Sequence, residues 1–407
     1  MAEELIDVEV ARSRVLAHAT ALGAEDVALE LALGRVLGAD VVSPEDVPGF
    51  DNSAMDGYAV LAADTAGAAG GRPVRLPVVD ESRAGRPAGR ELTAGEAIRI
   101  STGAMLPAGA DAVVRVEDTA ESGGEVAVVV EVEPGRNVRR AGEDVTAGAQ
   151  VLARGTRLGP AELGVLASVG ATPLRCSLRP RVAVLTTGDE LRGPGQPLEP
   201  GQVRDTNAYA VPAQARAAGA EVVAVETVPD DYGLTVDALR AGLRAHVLVI
   251  CGGMSVGPHD HVKPALGELA VTPDFWGIAL RPGKPTWFGV HQGRTLVFGL
   301  PGNPVSAMVT FHLLARPALA ALSGADPSRT RVTATFDADY SKRPGRAHAV
   351  RCRLDAGTDG WHVRPTKEQG SHVLTSMLGT QALALLERDR GDVSAGETVT
   401  AELLGAA

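Results

Sequence analysis

The chain is poor in lysine, cysteine and aromatic residues, and each scarcity limits the classes of protein to which it can belong. Three cysteines outside any CxxC pattern exclude a disulfide framework and favour reduced thiols. Aromatic residues make up 3% of the chain, so its cores must be built from Val, Leu and Ala. No apolar run approaches the roughly 18 residues of a membrane span, and the N-terminus lacks the basic and apolar stretches of a signal peptide. We expect a cytoplasmic protein without a membrane anchor. The four lysines are Lys263, Lys284, Lys342 and Lys367.

The net charge of −11 argues against a nucleic-acid partner and against an anionic membrane surface. An acidic protein that binds anions must therefore concentrate its basic residues locally. A length of 407 residues exceeds one ordinary core and predicts roughly two to four domains.

The fold class predicted by the pattern is multidomain α/β, because strands and helices alternate from residue 179 onward. Such alternation is typical of a doubly wound, mostly parallel sheet. Apolar residues recur at helical spacing in residues 3–40, and apolar and polar residues alternate as in strands in residues 72–133. The predicted units are a discontinuous helical domain (1–45 and 140–178), an inserted β domain (46–139), an α/β domain (179–327) and a C-terminal β domain (328–407).

Four polar or glycine-rich loops each begin where a predicted strand of the α/β domain ends. Since ligands bind at the carboxyl ends of parallel strands, these loops predict one site. Its candidate glycine and hydroxyl groups for an oxyanion are Gly252, Gly253 and Ser255. Asn303 and Pro304 fit the N-cap and first position of a helix, which favours an anion at that end.

Acidic residues of the same loops favour Mg²⁺, which takes one or two carboxylates together with phosphate oxygens and water. The sequence His259-Asp260-His261 is a weaker candidate for zinc, because no further ligand cluster stands at metal spacing. The candidate metal ligands are the acidic residues at the strand ends, Asp189, Glu190, Asp230, Asp231 and Asp260.

Two cations three residues apart, Arg281 and Lys284, flank a Pro-Gly turn. Fixed donors of this kind suit a tetrahedral oxyanion. A second basic loop, residues 135–145, contains Arg139 beside Asp144.

An ordered set of motifs extends over nearly the whole chain: FDNSAMDGYAV, STGAMLP, NVRRAGEDV, TTGDEL, DTN, GGMSVGPHDHV, RPGKP, GLPGNPVSA and QGSH. In these motifs the chain resembles the MoeA family of molybdopterin molybdenumtransferases, which includes the E domain of gephyrin. The resemblance implies a MogA-like α/β domain, a homodimer, and an active site between the α/β domain of one subunit and the β regions of the other. It also implies a reaction in which adenylyl-molybdopterin and molybdate react with Mg²⁺, releasing AMP.

The resemblance assigns roles to matching residues. It implies catalytic roles for Asp56, Thr102, Glu190, Asp260 and Lys284. It implies that Mg²⁺ is held by Glu190, Asp260 and one of Asp230 and Asp231, without deciding between the last two. It implies binding of the molybdopterin nucleotide by Arg139, Asp144, Asn207, Gly252, Gly253, Ser255, Pro301, Asn303, Pro304 and Ser306. It implies binding of molybdate by Arg281, Lys284, Arg351 and Ser371.

Two departures from the family pattern bear on affinity. Many relatives have lysine where this chain has Gly277 and Arg281. Gly277 removes one cation, whereas Arg281 keeps the charge but changes the hydrogen-bond geometry. Two alternatives remain beside the enzyme, a non-catalytic molybdopterin-binding scaffold and a molybdopterin adenylyltransferase. An upstream adenylyltransferase and acceptor molybdoenzymes are the expected protein partners. The sequence does not distinguish a preference for molybdate from one for tungstate.

Overall fold

The computed structural model describes residues 5–254, 261–366 and 368–405. The chain begins with helix α1 (Val8–Ala17), which packs on the α/β core through Ala11 and Val15. The prediction of a helix up to residue 40 is wrong beyond this point. Strands β1 (Ala24–Val27) and β2 (Val41–Val42) occupy the segment instead. Their backbone groups pair with the chain that returns at residues 150–177, so tertiary pairing overrides the helical spacing.

A six-stranded sheet forms the β insertion, in the order β7-β4-β6-β5-β9-β8. Its apolar face encloses a small core of its own, which includes Val60, Leu76 and Val114. The strands of this region are β3 (Asn52–Ser53), β4 (Gly57–Val60), β5 (Val74–Ser82), β6 (Ala97–Ile100), β7 (Ala112–Arg115), β8 (Thr119–Ser122), β9 (Glu125–Val128) and β10 (Val138–Arg139).

The chain then returns to the N-terminal segment through β11 (Gln150–Leu152), helix α2 (Pro160–Ser168) and β12 (Leu174–Ser177). Helix α2 begins at Pro160, whose fixed φ suits the first position of a helix, and Gly170 follows its end with a φ of 66°.

The α/β region contains the predicted doubly wound sheet, in the order β16-β13-β17-β21-β20-β18. The first four strands are parallel, and the last two add an antiparallel edge. The sequence pattern predicts strands at residues 182–186, 221–228, 247–250 and 296–300, and β13, β16, β17 and β21 lie there. The strands are β13 (Arg181–Thr187), β14 (Leu191–Arg192), β15 (Val203–Arg204), β16 (Glu221–Val228), β17 (Val247–Cys251), β18 (Val271–Trp276), β19 (Leu280–Arg281), β20 (Trp287–His291) and β21 (Thr295–Leu300).

Helices cover both faces of this sheet: α3 (Asn207–Ala217), α4 (Tyr232–Gly242), α5 (Val262–Glu268), α6 (Pro304–Thr310) and α7 (Arg316–Leu322). A π-helical turn, Phe311–Ala315, joins α6 to α7. The resulting helix, Pro304–Leu322, is long and apolar enough to cross a membrane, although polar residues interrupt its apolar sequence. Since 78% of it is buried inside the protein, it serves as the core helix of the α/β region.

Five strands close into a C-terminal barrel: β22 (Arg331–Phe336), β23 (Ala347–Gly357), β24 (Gly360–Pro365), β25 (Ala382–Leu386) and β26 (Thr398–Leu403). Strand β19 of the α/β region pairs with β23 at the side of this barrel. The turn that carries Arg281 and Lys284 is therefore shared between the two regions.

His362 on β24 gives the barrel a pH-dependent contribution to stability. Its ring lies 2.8 Å from Asp337 and 2.8 Å from Asp359, and these hydrogen bonds raise the pKa of His362 above its ordinary value. The stabilisation is present below the unfolded pKa of 6.5 and is lost as pH rises through the folded pKa. We expect His362→Gln to lower the melting temperature at about pH 6 but not at about pH 9. Equal losses at both pH values, measured by differential scanning calorimetry, would contradict this.

Candidate functional site

A cleft of about 880 Å³ opens at the carboxyl edge of the main sheet. Four loops that follow β13, β16, β17 and β21 supply most of its wall, which is the convergence that parallel strands predict. Among the residues predicted from the sequence, those that line it are Glu190, Asn207, Asp230, Gly252, Gly253, Asn303 and Pro304.

The structure separates the two neighbouring aspartates after β16. Asp230 lines the cleft. Asp231 instead caps helix α4, where its side chain accepts a hydrogen bond from the Leu234 N–H at 2.8 Å. Asp189, on the facing loop, accepts from the Asp230 N–H at 3.0 Å and so fixes this loop against the one that carries Glu190. Asp205 also lines the cleft, but its carboxylate accepts hydrogen bonds from the Thr186 and Thr227 hydroxyls and from the Ala208 N–H. Glu190 and Asp230 are therefore the carboxylates available to a ligand at this edge.

The glycines after β17 contribute space to the cleft. The Gly252 N–H donates to the Leu300 carbonyl at 3.1 Å, so this amide already has a partner within the chain. Gly253 has a φ of 61°, and a Cβ there would lie 2.4 Å from the Val262 side chain. Only glycine therefore lets the chain leave the strand at this point and keep the cleft open.

The beginning of the core helix connects the cleft to the C-terminal barrel. Helix α6 begins at Pro304 after Asn303, as predicted. The Asn303 side chain does not cap this helix but donates to the Ser371 hydroxyl at 3.3 Å. The adjacent His372 lines the cleft. The barrel therefore closes one side of the cleft within the same chain.

Arg281 and Lys284 lie outside the cleft wall, at the junction with the barrel. Arg281 pairs with His348 across β19 and β23. Burial and then the Arg281 charge lower the pKa of His348 to about 4, which keeps that ring neutral beside the cation. The backbone of Lys284 accepts hydrogen bonds from Ile278 and Thr286, so the turn is rigid, while its side chain is exposed.

Arg351 is fully buried in β23, contrary to the usual exposure of arginine. Its Nε donates to the Ser376 hydroxyl at 2.8 Å, and Nη2 donates to the carbonyls of Glu368 (3.1 Å) and Gly370 (3.3 Å). Burial lowers the pKa of Arg351. Its Nη1 is buried without a hydrogen-bond partner among the described residues. Arg351 thus fixes the loop that presents Ser371.

In the β insertion, two predicted residues contact each other. The Asp56 carboxylate accepts from the Thr102 N–H at 2.7 Å and from its hydroxyl at 3.0 Å. The basic loop nearby is tied down by Arg140, which lies 2.5 Å from Asp51. Burial is slight here, and a hydrogen bond from the Ala141 backbone, together with Arg140, lowers the pKa of Asp51.

Several predicted residues do not line the cleft within this chain: Asp56, Thr102, Arg139, Asp144, Arg281, Lys284, Arg351, Ser371, Pro301 and Ser306. Ser255 and Asp260 lie outside the described residues. Sequence reasoning missed Arg204, Asp205, Thr206, His372 and Leu374, which also line the cleft. Asp205 and Thr206 belong to the DTN motif at the beginning of α3, and that position was a signal that could have identified them.

The described residues contain no group of three or more His, Cys, Asp or Glu side chains placed to hold a metal. Two carboxylates in one cleft nevertheless fit Mg²⁺, because this ion takes most of its ligands from substrate phosphates and water. The donor set suits an ion that arrives with a phosphorylated ligand rather than a resident structural ion.

Three family profiles match the chain: the MoeA N-terminal region (domain I and II) over residues 6–170, a probable molybdopterin binding domain over 183–321, and the MoeA C-terminal region (domain IV) over 333–404. The molybdopterin molybdenumtransferase of Haemophilus influenzae is 37% identical over 98% of both chains. Molybdopterin molybdenumtransferase 2 of Mycobacterium tuberculosis is 41% identical over 91% of this chain and 92% of the relative. The molybdopterin biosynthesis moeA protein of Pyrococcus horikoshii superposes with a TM-score of 0.85 at 30% identity, over 98% of this chain and 100% of that one. The chain belongs to the MoeA family of molybdopterin molybdenumtransferases.

Proposed function

We propose that the protein inserts molybdenum into molybdopterin during molybdenum cofactor biosynthesis. The substrates are adenylyl-molybdopterin and molybdate, and the products are the molybdenum-loaded dithiolene, AMP and water. The observation that carries the proposal is the single cleft in which Glu190, Asp230 and the beginning of the core helix meet. It combines carboxylates with a helix N-terminus, the two features that phosphate and Mg²⁺ chemistry requires.

We place the pyrophosphate of the substrate in this cleft. The helix N-terminus at Asn303 and Pro304 orients a phosphate group, and Arg204 and His372 on the rim add donors. Glu190 and Asp230 would hold Mg²⁺, which when bound supplies positive charge to the leaving phosphate. The protein's own contribution is orientation and fixed charge, since no covalent intermediate with a side chain is required.

Molybdate is placed at the junction with the barrel, beside Arg281, Lys284 and Ser371. A tetrahedral dianion needs fixed donors and positive charge, which the rigid turn and the loop held by Arg351 provide. The hydrogen bond between Asn303 and Ser371 connects the molybdate site to the cleft. The two substrates would therefore lie on opposite sides of this hydrogen bond.

We also propose a homodimer in the cytoplasm. Asp56 and Thr102 contact each other but do not line the cleft of their own chain. If they act on the substrate, a second copy must bring them to it. An upstream adenylyltransferase that supplies the substrate and molybdoenzymes that accept the product would be its protein partners.

The test is AMP release from the purified protein supplied with adenylyl-molybdopterin, Mg²⁺ and molybdate. We expect AMP to appear only when molybdate is present in the mixture. Absence of AMP, with substrate still bound, would instead support the non-catalytic scaffold. Formation of adenylyl-molybdopterin from molybdopterin and ATP would support an adenylyltransferase.

Lys284→Ala is expected to weaken molybdate binding about tenfold or more while leaving the oligomeric state unchanged, because one charge-assisted contact is lost. Arg294→Ala, on the exposed turn before β21, removes a cation elsewhere and is the matched control. Isothermal titration with molybdate measures affinity, and sedimentation measures assembly. Equal molybdate affinities for Lys284→Ala and Arg294→Ala would contradict the placement of molybdate.

A further inference from the structure

Three arginines cluster at the end of the main sheet opposite the cleft. Arg157 and Arg179 line a small recess together with Gly34 and Gly219. Arg179 precedes β13 and Gly219 precedes β16, whereas the cleft residues follow these strands. Partial desolvation, and then the charges of Arg316 and Arg179, lower the pKa of Arg157. Arg316, at the beginning of α7, is near enough for its charge to act on Arg157, although it does not line the recess.

No carboxylate compensates this charge within the described ranges. Arg157 donates only to backbone carbonyls, those of Gly34 (3.1 Å) and Ala218 (3.4 Å). Arg157, Arg179 and Arg316 form no salt bridge with any residue among 5–254, 261–366 and 368–405. Arg35 lines the same recess and shows the contrast, since it lies 2.5 Å from Glu25.

The size of the recess limits what can compensate the charge. Its volume is about 10 Å³, close to the roughly 10–15 Å³ that one water molecule needs. It therefore admits one oxygen atom of an anion, whose remaining oxygens would lie at the mouth against exposed Arg179. Guanidinium groups match the oxygens of such an anion with paired donors.

We propose that Arg157 and Arg179, with the charge of Arg316 nearby, form a binding site for a compact tetrahedral oxyanion, the class that includes inorganic phosphate and molybdate. The site lies outside the cleft and the barrel junction, and it does not depend on the proposed reaction. In a chain with a net charge of −11, a bound anion explains why three cations are kept together without an acidic partner.

Arg157 also has a structural role, because it donates to a carbonyl at the end of helix α3 and lies over Gly219. A substitution there would confuse folding with binding. The side chains of Arg179 and Arg316 form no hydrogen bond to a described residue, so the double variant Arg179→Gln/Arg316→Gln tests the site with less disturbance. Arg75→Gln, an exposed arginine of the β insertion, is the matched control.

The experiment is isothermal titration of the full chain with inorganic phosphate, and separately with molybdate, at constant ionic strength. We expect the parent and Arg75→Gln to bind one more equivalent of phosphate than the double variant, or to bind it at least about tenfold more tightly. Comparing the affinities for molybdate and for phosphate shows which of the two anions the site prefers. Matching melting temperatures confirm that the variants are folded.

Identical isotherms for the parent and the double variant would overturn the proposal. A double variant that binds phosphate normally but dissociates in sedimentation would also overturn it, because the arginines would then face carboxylates of a second copy. Failure to release AMP would leave this result untouched, so the two proposals fail separately.

Discussion

An Asp230→Asn chain is expected to release AMP at least about a hundredfold more slowly than the parent, the usual effect of removing one fixed charge that acts on a transition state. Asp230 lines the cleft and is one of two carboxylates there that suit Mg²⁺. Asparagine has the size of Asp230 but not its charge. The variant should therefore still position the phosphate, but it should bind the Mg²⁺ that neutralises the phosphate charge more weakly. The rate should recover only partly at high Mg²⁺.

The neighbouring residue supplies an unusually close control. Asp231 caps helix α4, and asparagine is as good an N-cap as aspartate. Asp231→Asn should therefore keep both the fold and a rate close to that of the parent. Single-turnover AMP release, with melting temperatures for both variants, measures the difference. A slow Asp231→Asn beside an active Asp230→Asn would reverse the assignment.

The α/β architecture and the position of the cleft could be predicted from the sequence because both depend on local patterns. Buried apolar runs mark the central strands, and parallel pairing brings their carboxyl ends to one edge. Glu190, Asp230 and Asn303 follow such strands directly, so their convergence needed no knowledge of the tertiary structure.

The cleft residues that were missed depend on contacts distant in sequence. Arg204 ends a two-residue strand that pairs only with Leu191–Arg192. His372 reaches the cleft because the barrel packs against the start of the core helix. No periodicity in the sequence indicates such packing between regions.

Side-chain partners also decided which predicted roles the structure supports. Asp231 and Asp230 look equivalent in sequence, and only the hydrogen bond to Leu234 separates them. Nothing in the sequence distinguishes Arg351 from a surface cation. In the structure its guanidinium is buried in the barrel and donates to the carbonyls of residues 368 and 370. The leucines after residue 28 have helical spacing, but backbone pairing with residues 150–177 is stronger than that tendency.

Replacing Glu402 by glutamine is expected to lower the free energy of unfolding by about 3–5 kcal/mol, the cost of breaking a buried ion pair. Glu402 on β26 is fully buried. One carboxylate oxygen lies 2.9 Å from His312 Nε2 and the other lies 2.7 Å from Arg329 Nη1. Since the Arg329 side chain is only 1% exposed, glutamine would remove the buried one of its two carboxylate partners and leave the cation with the half-exposed Glu9, at 2.6 Å.

Glu397→Gln is the matched control, because Glu397 pairs with Arg390 on the surface of the same barrel. An exposed pair contributes only about 0–1 kcal/mol, so this variant should unfold close to the parent. Urea unfolding followed by circular dichroism measures both, with each transition fitted separately because the chain has several domains. Equal midpoints for the two variants would show that the buried pair contributes nothing. Arg329 also lies 2.6 Å from Glu9 of α1, and His312 lies in the core helix, so loss of Glu402 should loosen the barrel from the α/β region first.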